Sequence, residues 1–428
     1  MTRIGFAFNL KPEPETPRLE RDAETAVPEE EPPSSRTAIR LDSVVDDEFA
    51  EWDSEATIAA VEQALAPLGQ VIRLEADASF PERLRRARPD IVFNIAEGLH
   101  GVNREAHVPA ICEFFGIPYS GSDPFTLSLG LDKARTKEVL SHHGVPNAAF
   151  ELVRDERDLG ALLNRVGKTG IGDGEWVTPK RNVGRERESR SSRSVRETVL
   201  HSPSSNSHSP TRLLQLPLFV KPVHEGSSKG ITDKSFCRTL GELEEQIRFL
   251  LERYEQPVLV EEYLPGAEFT CAVLGNGPEA EVLPIVGMNF AALPDGAVPV
   301  YSFEAKWLWD RPENPLAIFE CPARIDAALE RRITAVVLDA YRVLGCRDWS
   351  RIDVRLDAAG EPNVVEVNPL PGILPDPEDN SCFPKAARAA GMSYTELIQA
   401  CLRHAAERQG VSLPVVAVSG VAGAAAVG

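Results

Sequence analysis

Arg351-Ile-Asp-Val-Arg355 and Glu366-Val-Asn-Pro369 are two short runs near the end of the chain in which polar and aliphatic residues alternate. Such alternation is typical of half-buried strands, and the turn-rich segment 357–362 between the runs predicts a hairpin. In a hairpin symmetric about that turn, Asp353 lies opposite Glu366. The aliphatic residues that we expect to face the core are Ile352, Val354, Val365 and Val367.

The polar face of this hairpin predicts a metal site. The same register places Arg351 opposite Asn368, so two carboxylates, an amide and a guanidinium share one face. Like charges directly across a ladder destabilise a sheet, which makes a divalent cation the natural occupant. Oxygen ligands suit Mg²⁺, with its remaining positions left for water and phosphate. We therefore predict a magnesium-nucleotide site formed by Asp353, Glu366 and Asn368.

The composition limits the class of protein. A chain of 428 residues is long enough for two or three domains, and its net charge of −19 argues against nucleic acid or an anionic membrane as the main partner. The seven cysteines are scattered without any Cys-x-x-Cys, as expected for reduced thiols. The start predicts a strand rather than a signal peptide, and no apolar run reaches membrane-spanning length. We expect a cytoplasmic protein with no membrane or nucleic-acid partner.

The first 128 residues predict a parallel open sheet. Strands at 3–9, 71–74 and 90–94 alternate with two helices, one that starts near Asp53 or Ser54 as N-cap and one at 81–88, and an acidic Pro- and Glu-rich loop fills 11–46. Ligands bind beyond the carboxyl ends of such strands, so residues 94–101 should border a site. No Gly-x-Gly-x-x-Gly follows the first strand, which disfavours an NAD-dependent oxidoreductase.

The rest of the chain divides at an Arg- and Ser-rich segment without apolar periodicity. This segment, 165–212, predicts a disordered insertion that is either a solvated loop or a phosphorylatable, anion-binding one. Outside this segment, the expected helices are 132–142, 240–254, 326–344 and 393–407, and the expected strands are 218–222, 231–236, 257–263, 268–275 and 282–288. The predicted domains are 1–128, 129–266 and 267–408, followed by a flexible tail at 409–428.

Three further segments carry chemistry, each with a plainer alternative. The glycines and serines after Lys221 could cradle phosphate, or form an ordinary hairpin turn. Glu261 and Glu268 flank the end of an apolar strand and could read adenine and ribose, or simply be solvated. Gly372 could offer its N–H to an oxyanion beside Arg351. Lys306, in an aromatic loop, could close over a carboxylate or be a surface lysine.

Taken together, these segments resemble the ATP-grasp superfamily, and most closely the D-alanine–D-alanine ligase family. The resemblance covers roughly residues 90–405 without the insertion, and the ordered set of runs is more specific than any one of them. The matching runs are Gly116-Ile-Pro-Tyr-Ser-Gly-Ser122, Asp132-Lys-Ala-Arg-Thr-Lys137, Phe219-Val-Lys-Pro222, Glu225-Gly-Ser-Ser228, Pro265-Gly-Ala-Glu-Phe-Thr270, Glu304-Ala-Lys306, Gly345 to Val354, Glu366-Val-Asn368, Pro371-Gly372 and Ser381-Cys-Phe-Pro384.

The resemblance implies a three-domain ATP-grasp fold, α/β and α+β in class, whose N-terminal domain holds the parallel open sheet. It also implies a set of site residues. Those implied for ATP are Lys133, Lys221, Glu225, Ser228, Glu261, Glu262, Leu264 and Glu268. Those implied for two Mg²⁺ (or Mn²⁺) are Asp353, Glu366 and Asn368. Arg351 and the Gly372 N–H would stabilise the tetrahedral intermediate. Ser227, Lys306 and Ser381 would position the second amino acid and organise a closing loop.

The chain departs from the family pattern where the substrates are expected to bind. The family's glutamate for the first ammonium has no clear counterpart, although Glu51 or Glu48 could replace it. Glu97 stands where the family has a histidine, and Trp307 where it has a tyrosine after the loop lysine. Glu262 replaces what is often a lysine.

The activity implied is ligation of two D-alanine molecules for peptidoglycan precursors. ATP phosphorylates one carboxylate, and the amine of a second amino acid attacks the acyl phosphate to give amide, ADP and phosphate. Two alternatives stay open: a related ligase for other amino or hydroxy acids, and a catalytically silent nucleotide-binding regulator that uses the insertion as its contact. Family members are often dimers, so a homodimer is one expectation.

Overall fold

The computed structural model describes residues 1–12, 51–98, 100–168, 213–294, 296–303, 305–309 and 316–415. Most of the predicted acidic loop, most of the predicted insertion and the end of the tail lie outside these ranges. So do Glu48 and the side chain of Trp307, for which a role in substrate binding was predicted.

The N-terminal unit is a parallel sheet, as the sequence predicts. β1 (Arg3–Phe8), β2 (Gln70–Glu75) and β3 (Ile91–Asn94) lie in the order β2-β1-β3, connected by α1 (Glu55–Leu65) and α2 (Phe80–Ala87). Ser54 begins α1 because its side chain accepts a hydrogen bond from the Thr57 N–H. Two helices that the sequence did not predict follow, α3 (His107–Phe115) and α4 (Pro124–Leu131).

The middle unit is an antiparallel sheet covered by helices. In chain order the elements are α5 (Lys133–His142), β4 (Phe150–Val153), α6 (Glu156–Lys168), β5 (Leu218–Pro222), β6 (Phe236–Cys237), α7 (Leu240–Tyr254) and β7 (Val258–Glu262). The strands pair in the order β4-β7-β5-β6.

Two predictions in the middle unit are wrong. The strand expected at 231–236 is almost absent, because the Thr232 side chain caps a short 3₁₀ helix, Asp233–Ser235, before β6 begins. The insertion does not begin at 165, since α6 continues to Lys168 and buries Leu159, Leu162 and Val166 along one helical face.

The C-terminal unit contains the largest sheet, with the path β11-β10-β8-β12-β13 and β9 paired to β8. Pro284, which has no N–H for a ladder, lies between β9 and β10, so the strand expected at 282–288 is interrupted. The elements are β8 (Glu268–Leu274), β9 (Glu281–Val282), β10 (Val286–Met288), β11 (Phe319–Glu320), α8 (Ala327–Val343), β12 (Trp349–Leu356), β13 (Pro362–Asn368), α9 (Cys382–Ala389) and α10 (Tyr394–Arg408).

The predicted hairpin forms between β12 and β13, with one irregularity. Asp353 pairs with Glu366 and Arg351 with Asn368, as expected. A bulge after Asp353 then pairs Val354 with Val364. Because a bulge advances one strand by a residue, Val364 is buried in the core, whereas Val365 borders a cavity instead of facing the core.

One hydrophobic core joins the first and last units, and the middle sheet has a main core of its own, although Leu140 of α5 packs in the core of the C-terminal sheet. Ile58 and Leu65 of α1 pack in one cluster with Leu397 and Leu402 of α10, whereas the middle sheet packs with α6 and α7 in a cluster of its own. Within the described ranges no helix has the length and apolar character needed to cross a membrane.

Candidate active site

A cavity of about 450 Å³ lies where the three units meet. The ends of β5, β7, β8, β12 and β13 line it, together with residues 51–54 and the turn at 224–230, called here the glycine–serine turn. Of the predicted site residues that the structure describes, all but Glu225 border this cavity. The Glu225 side chain instead accepts a hydrogen bond from Gln256 Nε2 at 2.7 Å, and its carbonyl accepts one from Lys133 Nζ.

A buried carboxylate between two lysines forms one wall. Glu261 Oε1 lies 2.8 Å from Lys221 Nζ, and Oε2 lies 2.9 Å from Lys137 Nζ. Burial disfavours the ionised carboxylate, but the charges of Lys137 and Lys221 outweigh this effect and lower the pKa of Glu261 to about 2. Burial lowers the pKa of Lys137. Burial also disfavours the charged form of Lys221, but the carboxylates of Glu261 and Glu366 outweigh this effect and raise its pKa.

Arg355 organises the neighbouring acidic residue. Its guanidinium pairs with Glu268 Oε2 at 2.8 Å and donates to the hydroxyl of Tyr263 and the carbonyl of Pro299, both at 2.9 Å. It also lies 4.9 Å from the centroid of the Tyr263 ring. These bonds fix the direction of the Glu268 carboxylate toward the cavity. Glu262 and Leu264 lie on the same side.

The hairpin presents its oxygen atoms together. Asp353 accepts from Thr270 Oγ1 at 2.9 Å, from Arg351 Nη2 at 3.2 Å and from Asn368 Nδ2 at 3.4 Å. Glu366 Oε1 lies 2.9 Å from Lys133 Nζ. Burial and the charge of Glu366 raise the pKa of Asp353, whereas Lys133 and Lys221 prevail over burial and lower that of Glu366. Two carboxylates and an amide on adjacent strands are a donor set that fits Mg²⁺ or Mn²⁺.

The loop after β13 is closed by a serine. Ser381 Oγ donates to the Gly372 carbonyl at 3.1 Å and accepts from the Leu374 N–H at 3.2 Å. Gly372 therefore forms part of a folded loop that borders the same cavity as Arg351. Lys306 also borders the cavity, and burial followed by the nearby charge of Arg351 lowers its pKa to about 8.

The glycine–serine turn contains two residues in the left-handed region. Ser227 has φ of 50° and Ser228 φ of 61°. Ser228 Oγ donates to the Tyr301 carbonyl at 3.1 Å, and the Phe303 N–H donates to the Ile231 carbonyl at 2.8 Å. The turn is thus joined to the segment that precedes Lys306.

The N-terminal wall is acidic. Glu51, a predicted ammonium ligand, is paired with Arg104 Nη2 at 2.9 Å. Glu97 also borders the cavity, where burial and the charge of Glu105 raise its pKa well above the usual value. Burial likewise raises the pKa of Glu105 and of Asp53 to about 7 each.

Sequence reasoning missed several residues of this cavity. Asp53, Arg104, Glu105 and Arg355 are charges outside the runs that carry the family resemblance, whereas Lys137 and Thr270 each end one of those runs without a role assigned from the sequence. Arg104 and Glu105 lie just beyond the predicted border at 94–101. The missed residues are Asp53, Arg104, Glu105, Lys137, Thr270 and Arg355.

Three comparisons with known proteins bear on the site. The family model described as "D-ala D-ala ligase C-terminus" matches residues 195–403. A D-alanine–D-alanine ligase of Bordetella pertussis is 32% identical over 315 residues, covering 74% of this chain and 78% of that protein. An uncharacterised protein, y4sG of Sinorhizobium fredii, is 30% identical over 360 residues, which cover 82% of this chain and 88% of that protein. The crystal structure of a Bacillus anthracis D-alanine–D-alanine ligase complexed with ATP has the same fold, with a TM-score of 0.58 at 20% identity and coverage of 95% of this chain and 100% of that one.

Proposed function

Because the chain belongs to the D-alanine–D-alanine ligase family, an ATP-dependent family of peptide-bond-forming enzymes, we propose that it joins two D-alanine molecules into D-alanyl-D-alanine, with ADP and phosphate as the other products. One observation carries the proposal: a single cavity is lined by the facing carboxylates of Asp353 and Glu366, two buried lysines, Arg351 and Gly372. The product would serve peptidoglycan synthesis, and an ATP-dependent reaction of this kind would take place in the cytoplasm.

The nucleotide would bind between the middle and C-terminal sheets. Lys133 and Lys221, both buried, would hold the phosphates, with Ser228 on the glycine–serine turn. Glu261, Glu262 and Leu264 at the end of β7 would border the adenine, and Glu268 would accept from ribose hydroxyls. The Arg355–Glu268 pair supports this role because it fixes the carboxylate before the nucleotide arrives.

Activation of the first carboxylate requires neutralising charge on the transferring phosphoryl group. Asp353, Glu366 and Asn368 would hold Mg²⁺ or Mn²⁺, which supplies that neutralisation. The neighbouring lysines add fixed positive charge in a site with little water, where electrostatic interactions are strong. The protein's part in this step is to orient the carboxylate toward the terminal phosphate.

The second step is attack by the amine of the second amino acid on the activated carbonyl. Arg351 and the Gly372 N–H would stabilise the oxyanion that develops, while Ser381 fixes the loop that carries Gly372. Ser227 and Lys306 would position the second substrate, and a positive Lys306 would pair with its carboxylate. A pKa of about 8 leaves Lys306 largely protonated at neutral pH.

The ammonium of the first substrate would bind to Glu97 rather than to Glu51. The Glu51 carboxylate is already paired with Arg104, whereas Glu97 has no ion pair or hydrogen bond within the described ranges. An ammonium beside Glu97 would favour its ionised form and relieve its repulsion with Glu105.

The test combines the protein with ATP, Mg²⁺ and D-alanine and follows phosphate release together with the mass of the product. We expect D-alanyl-D-alanine and phosphate in equal amounts. Arg351→Met should abolish both, whereas Arg248→Gln, which removes exposed ion pairs with Glu156 and Glu244 and does not border the cavity, should change neither. No turnover with D-alanine, but turnover with another pair of acids, would refute the assignment of D-alanine alone.

A second candidate is a ligase of the same chemistry for other amino or hydroxy acids. It is favoured by the N-terminal wall, where Glu97, Glu105 and Asp53 present three carboxylates to the first substrate. Paired assays with basic amino acids, and with hydroxy acids as acceptors, distinguish this candidate from the first. A protein that binds ATP and releases no phosphate with any substrate would instead be a silent nucleotide-binding regulator.

A further inference from the structure

The glycine–serine turn is bonded to all three units of the protein. On the middle unit, Gln256 Oε1 accepts a hydrogen bond from the His224 N–H, and Gln256 Nε2 donates one to the Glu225 carboxylate, both at 2.7 Å. On the C-terminal unit, Ser228 donates to the Tyr301 carbonyl. The third connection, to the N-terminal unit, consists of charged side chains.

That connection is a cluster of three buried charges, Glu51, Arg104 and Lys229, called here the ion-pair cluster. Arg104 Nη2 lies 2.9 Å from one oxygen of Glu51 and 3.2 Å from the other, and Arg104 Nη1 donates to the His224 carbonyl at 3.1 Å. Lys229 Nζ lies 3.5 Å from Glu51. The side chains are 9, 12 and 8% exposed for Glu51, Arg104 and Lys229.

The cluster fits closely against the turn. A Cβ on Gly226 would lie 2.2 Å from Glu51 Oε1, so only glycine allows the present contact. Glu51 and Arg104 belong to the N-terminal unit, and His224, Gly226 and Lys229 to the turn that borders the cavity. Buried charge pairs of this kind are costly to break, because separation leaves charges without partners away from water.

We propose that Glu51 and Arg104 are positioning residues of the ligase, whose ion pair with Lys229 holds the glycine–serine turn over the cavity and so protects the activated carboxylate from water. This inference rests on the proposed function. When water enters, its oxygen attacks the acyl carbon, the bond from that carbon to the phosphate oxygen breaks, and free amino acid and phosphate are released. ATP is then consumed without a peptide bond. The cluster therefore sets how much ATP each dipeptide requires.

The first test measures the ratio of ADP to dipeptide in Arg104→Gln and Arg104→Lys. Arg104→Gln should raise this ratio several-fold and lower kcat/KM for dipeptide formation by roughly 10²-fold, as expected when a positioning contact is lost. Arg104→Lys should recover part of both, because it keeps the charge and loses the forked geometry. Gly226→Ala, which displaces Glu51 from the other side, should raise the ratio as well.

The matched control is Arg408→Lys. Arg408 also joins a buried carboxylate, Asp348 at 2.7 Å, to backbone carbonyls of Tyr119 and Gly121, yet it does not border the cavity. This variant should lose stability without a change in the ADP-to-dipeptide ratio. An equal rise in the control, or an unchanged ratio in Arg104→Gln, would overturn the proposal.

A second measurement needs no substrate. Hydrogen–deuterium exchange of the full-length protein should be faster at residues 224–231 in Arg104→Gln than in the unmodified chain, with β7 unchanged. Unchanged exchange at the turn would overturn the proposal. A protein that forms no peptide bond with any substrate would refute the proposed function, and the exchange comparison would then decide separately whether the cluster holds the turn.

Discussion

The two sides of the cavity differ in how their buried carboxylates are paired with cations. On the side proposed for the nucleotide, Glu261 and Glu268 are each paired with buried cations of the protein. On the N-terminal side, Glu97 and Glu105 have no ion pair or hydrogen bond in the part of the chain that the structure describes. The protein supplies its own counter-charges on the first side. On the second side Glu51 is paired with Arg104, and we propose that Glu97 and Glu105 receive a cationic group of the substrate.

The largest effect is expected for Glu261→Gln. This change leaves Lys137 and Lys221 buried without their shared counter-charge, which should cost on the order of 3–5 kcal/mol of unfolding free energy. Because the folded pKa of Glu261 is about 2, its stabilisation is present above the usual pKa and is lost as the pH falls toward 2. Urea unfolding at neutral pH measures the cost. The control is Glu151→Gln, which removes a more exposed pair with Arg165 and should cost less than about 1 kcal/mol. Equal losses of unfolding free energy in the two variants would show that the buried ion pairs of Glu261 contribute no more to stability than an exposed pair.

Glu366→Gln should lower turnover by on the order of 10²-fold or more, through loss of a proposed metal ligand and of the pair with Lys133. Steady-state kinetics with saturating substrates measure it. Glu361→Gln is the control on the same hairpin, since Glu361 pairs only with the exposed Arg332. Full activity in Glu366→Gln would refute the assignment of the metal site.

Glu97→Gln and Glu268→Gln should separate the two sides by kinetics. We expect Glu97→Gln to raise KM for the first amino acid by roughly tenfold and leave KM for ATP unchanged, since it removes one charged contact. Glu268→Gln should have the reverse effect. Initial rates with each substrate varied in turn give both constants. If both variants change the same KM, the division of the cavity is wrong.

The smallest effect concerns pH. The folded pKa of Glu105 is raised to about 7, so its contribution to stability is full below its usual pKa of 4.5 and is lost as the pH rises through 7. Glu105→Gln removes this loss, and its melting temperature should exceed that of the unmodified protein by a few degrees at pH 8 but not at pH 5. Calorimetry at the two pH values checks this. A difference independent of pH would mean that Glu105 is already paired.

Local patterns in the sequence predicted much of the architecture. Period-two alternation and the turn predicted the pairing of Asp353 with Glu366, and an N-cap residue predicted the start of α1. These features depend on neighbours in the chain. The bulge after Asp353 interrupts the alternation and has no signal in the local pattern, so Val365 was wrongly assigned to the core in place of Val364.

The charged partners within the cavity could not be predicted in the same way. Arg104 meets Glu51 across 53 residues and His224 across 120, and Arg355 meets Glu268 across 87. The periodicity of neighbouring residues carries no information about contacts between residues so far apart in the sequence. For this reason Glu51 was read as a free ammonium ligand, whereas the structure pairs it with an arginine from the segment after β3.

The core shared by α1 and α10 has a consequence for synthesis on the ribosome. α1 leaves the ribosome long before α10, whose Gln399 lies 335 residues after Ala64 and donates to its carbonyl at 2.9 Å. Until α10 has been made, Ile58 and Leu65 lack the apolar partners that α10 contributes to their cluster. The N-terminal unit therefore completes its folding only after α10 has left the ribosome, whereas the middle sheet, with a core of its own, can fold while the chain is still growing.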